Sequence, residues 1–348
     1  MLEISLVVLF ILFLAMFFIL ISLFTYLLII KHFHNQKRKK IDDLKETYRL
    51  DMFHFLQSGE EGSLQPDKTE EKFIALIELL NEYSNVLDSE DVKGKISGFA
   101  NKHLTNYIKS ELKQRRWSLR MNALYSIEDF YMNHFVGELH KLYAKKNVTR
   151  TEKFQMLNLF AKFHDDQIVY YLKNVDPAIS NFTLLSILSL LKEEQFNELA
   201  DDFGALSKQM QYMMIETIGK KQYLHHINLI QKLLENSDEE LRIRALKAFA
   251  NTGAPIDEAI LSKFFESTSW QVRMMAAKVA GVRRLSPFKD RLVSLLSDRE
   301  YVVRSEAAKA ILQFKGGVDL LRKVVSESND GFAKDMALEW LGKEGVEY

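Results

Sequence analysis

The chain has 348 residues, with 47 basic and 47 acidic side chains and no cysteine. Charge balance argues against a dedicated nucleic-acid binder, which carries a basic excess. The lack of thiols excludes disulfide frameworks, thiolate zinc sites, iron–sulfur clusters and cysteine nucleophiles. Four prolines and 14 glycines leave little of the turn chemistry that sheets need, so the composition predicts an all-α protein.

The first predicted element is a membrane span. Ser5 to Ile30 contains no charged residue, and roughly 20 apolar residues cross a hydrocarbon core of about 30 Å as a helix. A cleaved signal peptide places its basic residues before a shorter apolar core and ends on a small-residue cleavage site. Here the basic residues follow the run and no such site is present. Residues 1–30 are therefore read as a transmembrane anchor. Lys31, Lys37, Arg38, Lys39 and Lys40 come after it and only Glu3 is charged before it, so the positive-inside rule predicts an outside N-terminus and a cytoplasmic C-terminal domain at the cell membrane. The same five cations are candidates for contact with anionic lipid head groups. On the cytoplasmic side the sequons at Asn147 and Asn181 meet no glycosylation machinery.

Residues 31–68 read as a basic juxtamembrane segment and linker. Ile41, Leu44, Tyr48, Met52 and Phe55 recur at helical spacing, and a loop of Gly, Ser and Pro follows from Ser58 to Lys68. The pattern turns strongly helical again with Phe73, Leu76, Ile77 and Leu80, the start of a helical repeat domain over 69–348.

Within that domain three segments align: Leu241 to Ala250, Val272 to Gly281 and Val303 to Leu312. Arg242, Arg273 and Arg304 are 31 residues apart, and Ala245, Ala276 and Ala307 follow each by three. Lys247, Lys278 and Lys309 complete the motif. An amphipathic stretch precedes each segment, which predicts two helices of about a dozen residues per unit. Ser237/Asp238, Ser267/Ser269 and Ser297/Asp298 stand where the second helix needs an N-cap. Weaker copies at Arg120, Lys153, Asn181, Gln211 and Lys334 extend the period over roughly 100–345. One hairpin cannot bury its apolar face alone, so repeats of this kind stack. The alanines predict close approach of neighbouring second helices.

These segments resemble HEAT repeats of the short HEAT-like type. The resemblance implies a right-handed α-solenoid of about eight helix pairs that binds proteins along an extended surface. It also implies that Arg242, Arg273 and Arg304 pair with an acidic residue of a nearby repeat, and that these three and Arg120 are structural. Asp238 and Asp298 are the candidates for that pairing.

No catalytic motif was found. None of the nine histidines falls in H-E-x-x-H, His225-His226 is expected to point to different helix faces, and His164-Asp165-Asp166 reads as a helix-end turn. Phosphate-binding glycine loops and a nucleophile elbow are absent. One feature reads as a candidate partner-binding site: Arg115, Arg116 and Trp117, with Lys113 and Arg120, at a turn between helices. Arg283 and Arg284 are a second candidate. The expectation is a membrane-anchored scaffold or adaptor with protein partners, serving a membrane or envelope-biosynthesis complex, with no cofactor, metal or small molecule and no enzymatic activity. The alternatives are a HEAT-like enzyme, such as a pigment lyase or a DNA glycosylase relative, and a peripheral nucleic-acid binder.

Overall fold

The computed structural model describes residues 6–62, 64, 69–84, 86–87, 89–343 and 345. The first five residues of the predicted anchor, residues 63 and 65–68 of the predicted loop, and residues 85, 88, 344 and 346–348 of the repeat domain lie outside the described residues. Among the described residues the chain forms nineteen α-helices and four short 3-10 turns, and no strand. The all-α expectation holds. The chain divides into two compact units, residues 1–159 and 160–348.

The first unit holds α1 (Leu6–Ser58), α2 (Glu70–Ser84), α3 (Glu90–His103), α4 (Thr105–Glu111), α5 (Trp117–Asp129), α6 (Val136–Tyr143) and most of α7 (Arg150–Lys162). Helix α1 runs for 53 residues without a break, about 80 Å at 1.5 Å per residue. It is long and apolar enough to cross a membrane, and its large apolar side chains from Val8 to Ile30 are exposed. Of the segment after Ile30, expected to be part helix and part loop, residues 31–58 continue the helix, which ends where the loop was expected. No glycine or proline lies between Lys31 and Gln57 to stop it.

The far half of α1 is core. Ile41, Met52, Phe55 and Leu56 are buried where α1 packs on α2 and α3, and the Phe55 and Phe99 rings meet at 5.3 Å. Lys45 is buried on the same face. A buried cation is expensive unless paired, and the Lys45 ammonium meets Glu78 at 3.0 Å and Glu82 at 2.5 Å. Desolvation works against the charge, but the two carboxylates outweigh it and hold the Lys45 pKa above its usual range.

The second unit begins within α7 and contains α8 (Ile168–Lys173), α9 (Asn181–Leu190), α10 (Glu193–Asp201), α11 (Lys208–Lys221), α12 (Ile227–Leu233), α13 (Glu239–Thr252), α14 (Glu258–Phe264), α15 (Trp270–Val282), α16 (Lys289–Leu295), α17 (Tyr301–Leu312), α18 (Gly317–Glu327) and α19 (Gly331–Lys343). Each of α12, α14, α16 and α18 packs on the helix that follows it, and α11, α13, α15, α17 and α19 pack in sequence side by side. This is a helical-repeat stack, the local arrangement of an α-solenoid. The first helix of three repeats is shorter than the dozen residues expected: α12, α14 and α16 have 7 residues each. Part of the predicted length goes into the 3-10 turns Leu224–His226 and Ser286–Phe288.

Small residues set the closest crossings, one turn beyond the motif alanines. A Cβ on Gly219 would meet Ala248 Cα at 3.1 Å, and one on Gly281 would meet Ala310 Cα at 2.7 Å. Both contacts join residue i to residue i+29, so the stack keeps one register. Ala245, Ala276 and Ala307 are fully buried beside them. Second helices also end alike: His164, Gln222, Gly253 and Arg284 follow α7, α11, α13 and α15 with φ of 55°, 56°, 64° and 51°. Only one of these four is a glycine, the residue that takes this conformation without strain.

The expected N-caps divide. The Asp238 carboxylate accepts from the Glu240 and Leu241 N–H groups at the start of α13. Ser269 precedes α15 without a side-chain cap; its hydroxyl donates to Glu239 at 2.9 Å. Glu300, not Asp298, is the cap position of α17.

Candidate partner-binding site

The motif arginines share one geometry. Each turns back onto the loop before its own helix, and Nη1 donates to the carbonyls six and five residues earlier. Arg120 reaches Gln114 O and Arg115 O at 2.9 and 2.8 Å. Arg242 reaches Asn236 O and Ser237 O at 2.6 and 3.0 Å. Arg273 does so with Ser267 O and Thr268 O at 2.7 and 3.2 Å, and Arg304 with Asp298 O and Arg299 O at 2.7 and 3.1 Å. The guanidinium therefore closes the turn between two helices of one repeat.

Two of the four also bridge to the next repeat. Arg120 makes a bidentate pair with Glu152 at 2.6 and 3.2 Å, and Arg273 with Asp298 at 2.6 and 2.8 Å. Burial opposes ionisation of Glu152, but Arg120 and the Thr149 N–H and hydroxyl together keep its carboxyl below the usual carboxylate range. Asp298 is likewise buried, and Arg273 with the Glu300 N–H keeps it low. Asp238 does not pair with a motif arginine; Lys208 holds it at 2.8 Å. Among the described residues the one carboxylate near Arg242 is Glu239 of its own helix, at 3.8 Å. Arg304 lies over the rings of Phe332 and Tyr301, at 4.8 and 5.8 Å.

Arg120 thus holds the carbonyls of Gln114 and Arg115 in the turn from α4 to α5, whose side chains stand in solvent. Lys113, Arg115 and Arg116 are all exposed. The Trp117 indole is 46% exposed and donates to the Thr149 hydroxyl at 3.2 Å. The next inter-helix turn, between α6 and α7, carries Lys145 and Lys146, also exposed. Between these turns lies a cleft of about 290 Å³ whose lining includes Lys113, Arg115, Arg120, Lys145 and Asn147. Among the described residues Lys113, Arg115, Arg116, Lys145 and Lys146 form no ion pair. Sequence inspection passed over Lys145 and Lys146. The signal was there: Lys145 follows Lys113 by 32 residues, about one repeat.

Chemically the cleft offers ammonium and guanidinium donors in a fixed frame, which suits carboxylates or phosphates. Arg283 lies elsewhere and is committed to the fold, donating to Gly253 O at 2.5 Å. Arg284 is exposed in the left-handed conformation. Of the proposed lipid-contacting cations, Lys37 pairs with Glu70 at 2.8 Å, Arg38 with Glu78 at 2.7 Å and Lys40 with Glu71 at 3.3 Å. Among the described residues only Lys31 and Lys39 of that set are unpaired. His225 and His226 do not diverge as expected for an α-helix: in their 3-10 turn the rings lie 4.1 Å apart. No group of three His, Asp or Glu side chains suited to a metal occurs among the described residues.

No family model matches the chain, and no curated protein matches it. Among solved structures it is similar to an engineered protein at 15% identity, with a TM-score of 0.38, over 87% of this chain and 98% of that one. It is also similar to a mutant of Kap121p at 11% identity, TM-score 0.47, over 88% of this chain. A third likeness is to the karyopherin Kap121p bound to the extreme C-terminus of the protein phosphatase Cdc14p, at 10% identity, TM-score 0.46, over 87% of this chain. The chain spans 41% of the length of each Kap121p chain.

Proposed function

We propose that this chain is a single-pass membrane scaffold whose cytoplasmic helical repeats bind a protein partner through an acidic segment and catalyse no reaction. In this reading the repeats form a right-handed α-solenoid of about eight helix pairs. The observation that carries it is the cleft between the turns at 112–116 and 145–148. Five cations without a partner stand on two successive turns, and the Arg120 hydrogen bonds hold one of those turns in place.

Exposed charge pairs contribute about 0.2–1 kcal/mol each, so a run of carboxylates across the cleft gives a salt-sensitive, readily reversible complex. The uncharged run from Ser5 to Ile30, followed by a basic segment, supports the membrane tether. Tethering raises the local concentration of membrane-associated partners without any new contact.

The test is capture of tagged full-length protein from detergent-solubilised membranes, read by mass spectrometry. It is run beside the double variant Arg115→Glu, Lys145→Glu and beside a form lacking residues 1–30. One abundant partner, held by the full-length protein and lost in the charge-reversed variant, supports the cleft. Equal recovery by that variant removes it. Loss of the partner on deleting residues 1–30 alone assigns the binding to the apolar helix instead.

A further inference from the structure

A second cleft opens within the first unit, between α2, α4 and α5, with a volume of about 380 Å³. It shares no lining residue with the basic cleft, and its chemistry is the opposite. Among the described residues no lysine, arginine or histidine lines it. Its size lies in the range of small-molecule pockets, roughly 300–1,000 Å³.

Helix α2 presents its lining in a fixed order: Glu70, then Ile74 and Ile77, then Asn81. The intervals of three and four residues put them on one face of the helix. Ile108 of α4 and Leu119 of α5 add to the apolar wall. Glu111 and Tyr107, both from α4, stand at the Glu70 end, where Glu70 acts electrostatically on each. Acceptors therefore stand at both ends of an apolar strip.

The polar groups in this cleft lack partners. Asn81 Oδ1 is buried and accepts no hydrogen bond, a costly state for an acceptor withdrawn from water. Glu111 forms no ion pair and no side-chain hydrogen bond among the described residues, and the Tyr107 hydroxyl likewise forms none. The Tyr107 ring is held by stacking on Phe73 at 4.7 Å. Glu70 already pairs with Lys37 at 2.8 Å, which leaves Glu111 without a counter-charge of its own. Burial and the neighbouring Glu70 push the Glu111 carboxyl above the usual carboxylate range, although Lys37 opposes the shift.

We propose that this cleft binds a linear aliphatic polyamine, with one ammonium group donating to Glu111 and another to Asn81. The ligand is a donor at both ends, because the unpartnered groups of Glu111 and Asn81 are acceptors. It is a cation, because Glu111 has no counter-charge. It carries methylenes between its ammonium groups, because Ile74 and Ile77 fill the strip between Glu70 and Asn81. A metal ion does not fit this description, since no group of three His, Asp or Glu side chains suited to one occurs among the described residues. The site does not depend on the scaffold reading.

Calorimetric titration of full-length protein in neutral detergent with spermidine tests the proposal. Butylamine, magnesium chloride and a trilysine peptide are titrated beside it. Spermidine is expected to bind in the micromolar to millimolar range. Butylamine, with a single ammonium group, is expected to bind about tenfold more weakly, as is spermidine to Glu111→Gln, since each loses one charge-assisted hydrogen bond. Asn81→Leu is expected to weaken spermidine binding, and Asn81→Asp, which adds a charge at the far acceptor, to tighten it. Circular dichroism matching the native protein shows that each variant is folded. Spermidine binding that is absent at millimolar concentration, or unchanged in folded Glu111→Gln and Asn81→Asp, overturns the assignment. Displacement of spermidine by magnesium at equal concentration also overturns it, in favour of diffuse charge attraction. Tighter, Glu111-dependent binding of trilysine overturns it in favour of a lysine side chain of a polypeptide.

Discussion

Arg120 and Glu152 join two successive helix pairs of the first unit through two hydrogen bonds, at 2.6 and 3.2 Å, and Glu152 is fully buried. The same guanidinium fixes the carbonyls of Gln114 and Arg115. One side chain thus ties a turn shut, spans two repeats and sets the frame of the basic cleft. Removing one partner of a buried ion pair costs about 3–5 kcal/mol, because the other charge is left desolvated. Arg120 keeps its two carbonyls, so Glu152→Gln is expected to destabilise the protein by about 3 kcal/mol. Chemical denaturation checks this, and a loss below about 1 kcal/mol contradicts it.

The same pair sets an acid limit on stability. Glu152 and Asp298 both titrate below the usual carboxylate range in the folded chain, while in the unfolded chain they return to it. Their contribution is complete above the unfolded value, about 4, and is lost as pH falls through the folded values. The melting temperature is expected to be flat from about pH 7 to 5 with respect to these groups and to fall below about pH 4. In Glu152→Gln with Asp298→Asn the acid fall is shallower. An equally steep fall in the double variant assigns acid lability to other carboxylates.

Gly281 marks a very close approach in the stack of second helices. Its missing Cβ would stand 2.7 Å from Ala310 Cα and 2.6 Å from its Cβ, and backbone cannot yield as a flexible side chain can. Gly281→Ala is expected to cost about 1–3 kcal/mol through overpacking, despite alanine's better helix propensity. At Gly219 the approach is 3.1 Å and the loss is smaller. Thermal melts of the two variants should rank in that order, and equal melts would mean that the helices slide apart freely.

Gln222 ends α11 in the left-handed conformation with φ 56°, where a side chain costs about 1–2 kcal/mol. Gly253 fills the equivalent place after α13. Gln222→Gly is expected to stabilise by about 0.5–1 kcal/mol after glycine's extra unfolded-state entropy is counted. Gly253→Ala is expected to destabilise. A Gln222→Gly variant that melts lower shows that the Gln222 side chain supports the fold in some other way.

Much of the repeat was legible as pattern. The 31-residue spacing, the buried Ala245, Ala276 and Ala307, and the end of α1 at Ser58 all follow from periodicity or turn chemistry. The pairing of Arg273 with Asp298 followed from the resemblance, whereas Arg242 and Asp238 found other neighbours. Ion pairing depends on a few ångströms of side-chain placement, which a one-dimensional period does not carry. Lys145 and Lys146 went unread beside Arg115 because they lie on a different turn, and only folding brings the two turns together.

Composition and periodicity by themselves determined that the chain is helical, that the run from Ser5 to Ile30 is uncharged, and that its second helices stack through small residues. These are properties of each residue's own transfer energy and backbone preference, and they survive without knowledge of neighbours. The tertiary structure decided that the basic segment after Ile30 is one helix with the apolar run, anchored by Lys45 between Glu78 and Glu82. It decided too that each motif arginine closes its own turn and that Arg120 and Arg273 also pair with a carboxylate of the next repeat. Both depend on desolvation: a charge taken from water must find its counter-charge in space, and the distance in space between Lys45 and Glu82 is not set by their distance along the chain.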